Sequence, residues 1–157
     1  MKKIAILTVI LICLLVSCAS YQPITKEEST YSVVVNVPNI PAKDLYVLIN
    51  LWFVDTFRSA DNVIQYSDKE YGVIAGKYGF AVSYSSPMVK TYLNVFATIK
   101  AEVRNGKYRI TFSDPYCQDP KYGITNLDRQ YIDQVRDKWQ SMVNSSAEFI
   151  NTYQSNW

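Results

Sequence analysis

From Leu93 to Phe112 the chain alternates apolar and polar residues on both sides of an Asn105-Gly106 pair, and few architectures accommodate that pattern. Leu93, Val95, Ala97, Ile99, Ala101 and Val103 alternate with Asn94, Phe96, Thr98, Lys100, Glu102 and Arg104. A period of two sends alternate side chains to opposite faces of a strand. Asn-Gly supplies the two positive φ values of a type I′ two-residue turn. Counting outward from that turn pairs Val103 with Tyr108, Ala101 with Ile110 and Ile99 with Phe112. The same register sets Glu102 opposite Arg109 on the other face, a complementary cross-strand pair. A long hairpin with one buried face and one largely polar face needs further strands beside it and a cover over its apolar side.

The segments upstream supply both. Tyr31 to Val37 is a β-branched run stopped by Pro38, the signature of a first strand. A helix is expected from Pro41 to about Arg58: Pro41 suits the first turn, Asp44 favours the positive end, and Leu45, Leu48, Ile49, Trp52, Phe53 and Phe57 recur at helical intervals. This aromatic stripe is expected to pack in the core rather than line a ligand site. Asn62 to Ser67 and Tyr71 to Lys77 flank the polar turn Asp68-Lys69-Glu70 and are expected to pair as a hairpin. Tyr78 to Lys90 continues as an edge strand that breaks into a loop. Gly72, Gly76 and Gly79 lack the spacing, the Gly-Lys-Ser/Thr and the following helix of a phosphate loop, so they are expected to relieve strand crowding or form bulges.

Asp114 to Gly123 is expected to be a loop. Asp114, Asp119 and nearby carbonyls offer oxygen ligands, but their spacing does not fit an EF-hand and Asp-Pro steps are ordinary turn formers. Cys117 is expected to be a buried structural thiol. A catalytic thiolate needs a base, and the chain contains no histidine. Thr125 or Asn126 then caps a terminal helix, with Asp128 in its first turn. Leu127, Tyr131, Val135, Trp139, Met142 and Val143 form its stripe, extended by Phe149, Ile150, Tyr153 and Trp157. Unbroken, those residues span about 45 Å, and Ser145-x-x-Glu148 has the form of a capping box, so a kink or restart is expected near Asn144-Ser145-Ser146.

The N-terminus carries a different signal. Lys2 and Lys3 precede an apolar run from Ile4 to Val16, within the ~7–15 residues of a signal peptide core and short of the ~20 that cross a bilayer. Leu15-Val16-Ser17-Cys18 resembles a bacterial lipobox, which makes Cys18 the expected lipidation site and residues 1–17 a cleaved leader. Two or more acyl chains give stable attachment where one does not. Ala19 to Thr30 is mostly polar and reads as a flexible tether, roughly 20 Å as a random coil. A single globular domain from 31 to 157 follows.

Removing Lys2 and Lys3 from 16 basic residues leaves 14 against 14 acidic ones. A formally neutral domain offers no basic surplus for nucleic acid or an anionic leaflet. In order the elements are strand, helix, four strands, helix, an α+β domain. Ala60 to Glu70, Gly72-Val-Ile-Ala-Gly-Lys77 and Val103 to Phe112 resemble a domain of unknown function found in predicted lipoproteins of Bacteroidetes-type bacteria. The resemblance covers about Tyr31 to Ser113. It implies a TATA-binding-protein-like fold, a curved antiparallel sheet packed against an N-terminal helix and a long C-terminal helix. It brings no activity, cofactor or catalytic residue, and a fold does not carry its best-known function with it.

Three function classes follow. One is a non-enzymatic cell-envelope lipoprotein, in the outer membrane facing the periplasm, whose domain binds an unidentified envelope protein. The second binds a glycan or small apolar ligand through the 13 tyrosines and 3 tryptophans; tyrosines clustered on one exposed surface would favour it, and tyrosines mostly in the core would remove its motive. The third, an enzyme, finds no nucleophile–base arrangement, metal cluster or phosphate loop in the sequence. No catalytic residue, cofactor, metal or nucleic-acid partner is assigned.

Overall fold

The computed structural model describes residues 22–57, 60–85, 90–119 and 123–155; the leader, Cys18 and Trp157 lie outside them. The elements run β1 (Tyr31–Asn36), α1 (Ala42–Thr56), a short α2 (Ala60–Val63), β2 (Ile64–Asp68), β3 (Val73–Ser85), β4 (Lys90–Arg104), β5 (Lys107–Asp119), β6 (Gly123–Asn126), a 3-10 turn (Arg129–Tyr131) and α3 (Ile132–Ser155). They build one antiparallel sheet in the order β1-β5-β4-β3-β2, with β6 also paired to β5. The central hairpin has the register that alternation dictates: Val103 faces Tyr108, Ala101 faces Ile110, Ile99 faces Phe112 and Glu102 faces Arg109.

The turn of that hairpin differs from the I′ expectation. Only Gly106 takes a positive φ, 72°, and Asn105 does not, the pattern of a type II turn. Docking explains the change. Val37 N–H donates to the Gly106 carbonyl and Gly106 N–H to the Ile40 carbonyl, both at 2.9 Å. The Asn105 side-chain oxygen accepts from Ala42 N–H at 2.8 Å. Pro41 precedes α1 without a side chain able to cap it, so Asn105 does so from the β4–β5 turn. Asn105→Ala is expected to cost about 1–2 kcal/mol, read as a lower urea midpoint at unchanged m-value. No loss would show that Asn105 does not cap α1.

The loop expected over 114–123 is strand over its described residues. β5 runs on through Asp119, and residues 123–126 return as β6, pairing Tyr116 with Asn126 and Cys117 with Thr125. A one-residue bulge between the Thr98–Ser113 and Phe96–Tyr116 pairs absorbs the Asp-Pro step, where Asp114 takes φ 53°. Asp tolerates that conformation and Pro115 has no N–H to lose from the ladder. One edge of β5 thereby carries β1 along its first half and β6 along its second. With β6 formed, Thr125 and Asn126 are strand residues, and Asp128 instead caps the 3-10 turn by accepting from Gln130 N–H.

α1 and α3 both lie on the apolar face of the sheet, over Ile74, Tyr78, Val95, Ile99, Ile110 and Phe112. α3 is continuous through Ser155, about 36 Å, without the kink expected at Ser145. The serines there serve packing instead. Ser145 Oγ accepts from Trp52 Nε1 at 3.2 Å, joining α1 to α3. Fully buried Ser146 donates back to the Val143 carbonyl at 2.7 Å and bonds the Tyr108 hydroxyl at 2.8 Å. β3 is a single strand through Ser85, and beyond Gly76 its outer edge pairs with no strand among the described residues, as expected of an edge strand, while Gln134 of α3 bonds the Ser83 N–H and carbonyl there; the expected break into a loop lies outside the described residues.

The segment placed in a flexible tether is partly docked. Thr25 and Glu28 exchange bonds as a capping pair, Pro23 bridges to Asp128, and Arg129 reaches Glu28 at 3.0 Å. Thr25 N–H, its hydroxyl and Arg129 hold the Glu28 carboxyl below the usual range. Residues 22–30 therefore belong to the folded body.

Candidate functional site: the open face of the sheet

Because the helices share one face, the other side of the sheet carries no covering element among the described residues. Directly paired residues project to the same side. The register therefore places Lys77, Thr98 and Ser113 in one row, then Ala75, Lys100, Thr111 and Ser32, then Val73, Glu102, Arg109 and Val34. Arg104, Lys107 and Asn36 complete it near the turn. Five cations thus share the face with the Glu102 carboxylate. Glu102 Oε2 lies 3.2 Å from Lys100 Nζ and 3.9 Å from an Arg109 guanidinium nitrogen. Such exposed pairs contribute at most about 1 kcal/mol each, so their weight is in the potential of the face. A second carboxylate, Asp68 at the β2 edge, accepts from Glu70 N–H, Tyr71 N–H and the Tyr66 hydroxyl, which hold its pKa down.

Next to the cations lies an aromatic pair. Phe96 and Tyr116 stack at 5.5 Å and 17°. The Phe96 ring also covers Gly79, where a Cβ would come within 2.8 Å of it. Each ring thus has one face covered by the other. A depression of about 90 Å³ lined by Val34, Glu102, Arg104, Lys107, Tyr108 and Arg109 lies among the cations. That is well below the ~300–1,000 Å³ of small-molecule pockets.

Two other surfaces stand out. A groove of about 460 Å³ runs between the docked N-terminal segment and the β5–β6 end, with Ile124 strongly exposed beside it. Val47, Leu51 and Val54 form an exposed apolar stripe on the outer side of α1. Among the described residues no group of three or more Cys, Asp or Glu could hold a metal. Cys117 is buried on the core side, unpaired, and burial raises its pKa, so it is a poor nucleophile.

The described tyrosines do not gather on one surface. Tyr46, Tyr78 and Tyr108 are core residues, and Trp52 and Trp139 are fully buried. Exposed Tyr66, Tyr71 and Tyr92 sit on β2, in the β2–β3 turn and near the start of β4. Burial raises the pKa of Tyr78 and, despite its bond to Ser146, of Tyr108. Both stay protonated in the fold when the unfolded chain begins to ionise near pH 10. Their contribution is whole below that pH and declines above it. Tyr78→Phe is expected to flatten the fall in the urea midpoint between pH 9 and 11, and to leave stability at pH 7 unchanged or raised, because the buried Tyr78 hydroxyl has no partner. An unaltered alkaline slope would show that Tyr78 does not drive it.

Cys18, the one site residue expected from sequence, lies outside the described residues. The hairpin pattern anticipated Lys100, Glu102, Arg104 and Arg109 on one face. It missed the convergence of Lys77, because only the β3–β4 register brings Lys77 opposite Thr98.

An antiparallel sheet with two helices on one face and the other face bare is an α+β arrangement of the TBP-like class. Residues 31–118 match the family model described as a domain of unknown function (DUF4468) with TBP-like fold, and the chain belongs to that family. It is similar to the crystal structure of a DUF4468 family protein from Bacteroides ovatus, at 13% identity and TM-score 0.58, covering 83% of this chain and 88% of that one. A TBP-like protein from Parabacteroides distasonis is similar at 15% identity and TM-score 0.60, covering 80% and 97%. At such identities the likeness shows the fold alone. No curated protein matches the chain.

Proposed function

We propose that this protein is a non-enzymatic cell-envelope lipoprotein, held by acyl chains on Cys18 and contacting another envelope protein through the open face of its sheet. The observation that carries the contact is the bare face itself. Three long strands, β3 to β5, present a broad charged surface without an enclosed cleft, which suits a macromolecule better than a metabolite. The alternative of a glycan or small apolar ligand loses its motive, since the tryptophans described are in the core and the exposed tyrosines are dispersed. A non-enzymatic role is supported by the lack of histidine and by the buried, raised-pKa thiol of Cys117. Anchoring in the outer membrane, facing the periplasm, rests on the lipobox-like sequence around Cys18.

The test uses the full-length chain in its native envelope. A photo-crosslinking residue at Thr98 is expected to give an adduct of defined mass that the same residue at exposed Lys138 on α3 does not. Equal labelling from both positions, or none from Thr98, overturns the contact. Cys18→Ala is expected to abolish processing and membrane pelleting; an unchanged mature mass and an unchanged pellet overturn the anchor.

A further inference from the structure

We infer that the open face is a docking surface for an acidic segment of a protein. The inference rests on the proposal that this face is a contact surface, and it adds the chemistry of what is contacted. Over the whole chain the charges nearly cancel, with 16 basic and 14 acidic residues, whereas this face carries five cations against the two carboxylates of Glu102 and Asp68. Each of those cations projects from β3, β4 or β5 to the same side, and a surface with a positive surplus attracts its complement and discriminates against like charge.

Spacing narrows the class. Lys100 and Arg104 stand about 13.6 Å apart along β4 with Glu102 between them, the separation of carboxylates four positions apart in an extended peptide. Arg104 and Lys107 stand opposite each other across the hairpin, so the cations form a two-stranded array instead of a single line. Glu102, in the middle of that array, favours a protein over a nucleic acid or an anionic bilayer. A phosphate surface would press like charge against it, whereas a polypeptide can set a backbone N–H or a lysine there. Phe96 and Tyr116 stack on each other, and Phe96 also covers Gly79, which takes ring surface away from a base or a sugar ring. Hydroxyls of Ser32 and Thr111, 3.0 Å apart, supply neutral bonding groups at the border of the array.

The probe is a 20-residue poly-L-glutamate peptide, titrated into the folded chain at about 20 mM and again at about 150 mM salt, since screening separates ionic docking from apolar adsorption. Amide shift changes are expected on β3, β4 and β5 and not on α3. The Arg104→Glu, Lys107→Glu double variant is expected to weaken binding by at least about tenfold, while Arg104→Lys, Lys107→Arg keeps it within about threefold. An unchanged thermal midpoint in both variants excludes a folding effect. Three results would overturn the inference: no saturable binding of polyglutamate at either salt, equal binding by the charge-reversed variant, or binding of phosphatidylglycerol vesicles or polygalacturonate in its place. Polyglutamate binding without a Thr98 cross-link in the envelope would leave the charge preference standing and remove the proposed envelope contact. A Thr98 cross-link without polyglutamate binding would do the reverse.

Discussion

Trp139→Ala is expected to cost about 3–5 kcal/mol, the range for emptying a large aromatic from a packed core and a substantial part of the stability of a single domain. Trp139 is fully buried. Its ring stacks on Phe112 at 5.4 Å and 8°, and on Tyr31 at 6.3 Å and 29°. It therefore joins α3 to β5 and to β1 at once, and β1 has few other ties to the helices. Tyr31 adds a hydroxyl bond to Gln140, the next residue of α3. The indole N–H lies beside the Tyr78 hydroxyl without hydrogen-bond geometry, so the loss is chiefly one of volume and stacking contact. Urea unfolding should show a midpoint lowered by that amount at unchanged m-value. A loss under about 1 kcal/mol would mean that β1 is held by its ladder with β5 alone.

Gly76→Ala is expected to be comparably damaging for the opposite reason. A Cβ at Gly76 would stand 2.0 Å from the Val63 carbonyl oxygen, 2.7 Å from its carbon and 3.1 Å from Ile64 Cα. All three are backbone atoms at the junction of α2 and β2, and none can swing aside. β2 would have to separate from β3 or shift its register, and overpacking of this kind costs about 3 kcal/mol or more. Gly79→Ala is the internal control. There the obstacle is the Phe96 ring at 2.8 Å, a side chain that can rotate, and the expected loss is smaller. Thermal midpoints of the two variants, compared directly, decide the matter; equal losses would sink the backbone explanation.

Period-two alternation was decisive where it was long. Leu93 to Phe112 fixed both faces and the register of the central hairpin, and with them three of the five cations on the bare face, Lys100, Arg104 and Arg109. Alternation was blind to whatever depends on partners far away in sequence. Nothing local in Asn105 announces that its side chain caps a helix starting at Ala42. Its turn type changed for the same reason, since the contacts of Gly106 with Val37 and Ile40 outweigh the intrinsic preference of Asn-Gly for I′. The Asp114-Pro115 step has the composition of a turn, yet it folds as a bulge within a strand because β4 and β6 supply ladder partners on both sides of β5. Ser145-x-x-Glu148 has the letters of a capping box. In place of a break, Trp52 and Tyr108 use Ser145 and Ser146 as hydrogen-bond partners in the helix interior. The fold class survived these local errors because the family domain and the hydrophobic pattern both point to one sheet covered by two helices. Lys77 joined the site only through a register that no single segment encodes.

The double occupancy of one edge of β5 has a kinetic consequence. β2, β3, β4 and β5 follow one another and pair with sequence neighbours, so that meander closes short loops. β1 cannot find its place until Lys107 to Phe112 exists as a strand, because its whole ladder is with those residues. Its closure spans α1 and three intervening strands, and loop entropy and contact order make such a step slow. During synthesis the apolar run Val33-Val34-Val35 emerges long before its partner, as an unpaired β-prone segment. β6 meets β5 almost at once across a short connection. Growth of this sheet is therefore expected to be asymmetric in time: the C-terminal half of β5 gains its outer neighbour early, and the N-terminal half waits for the oldest part of the chain to return.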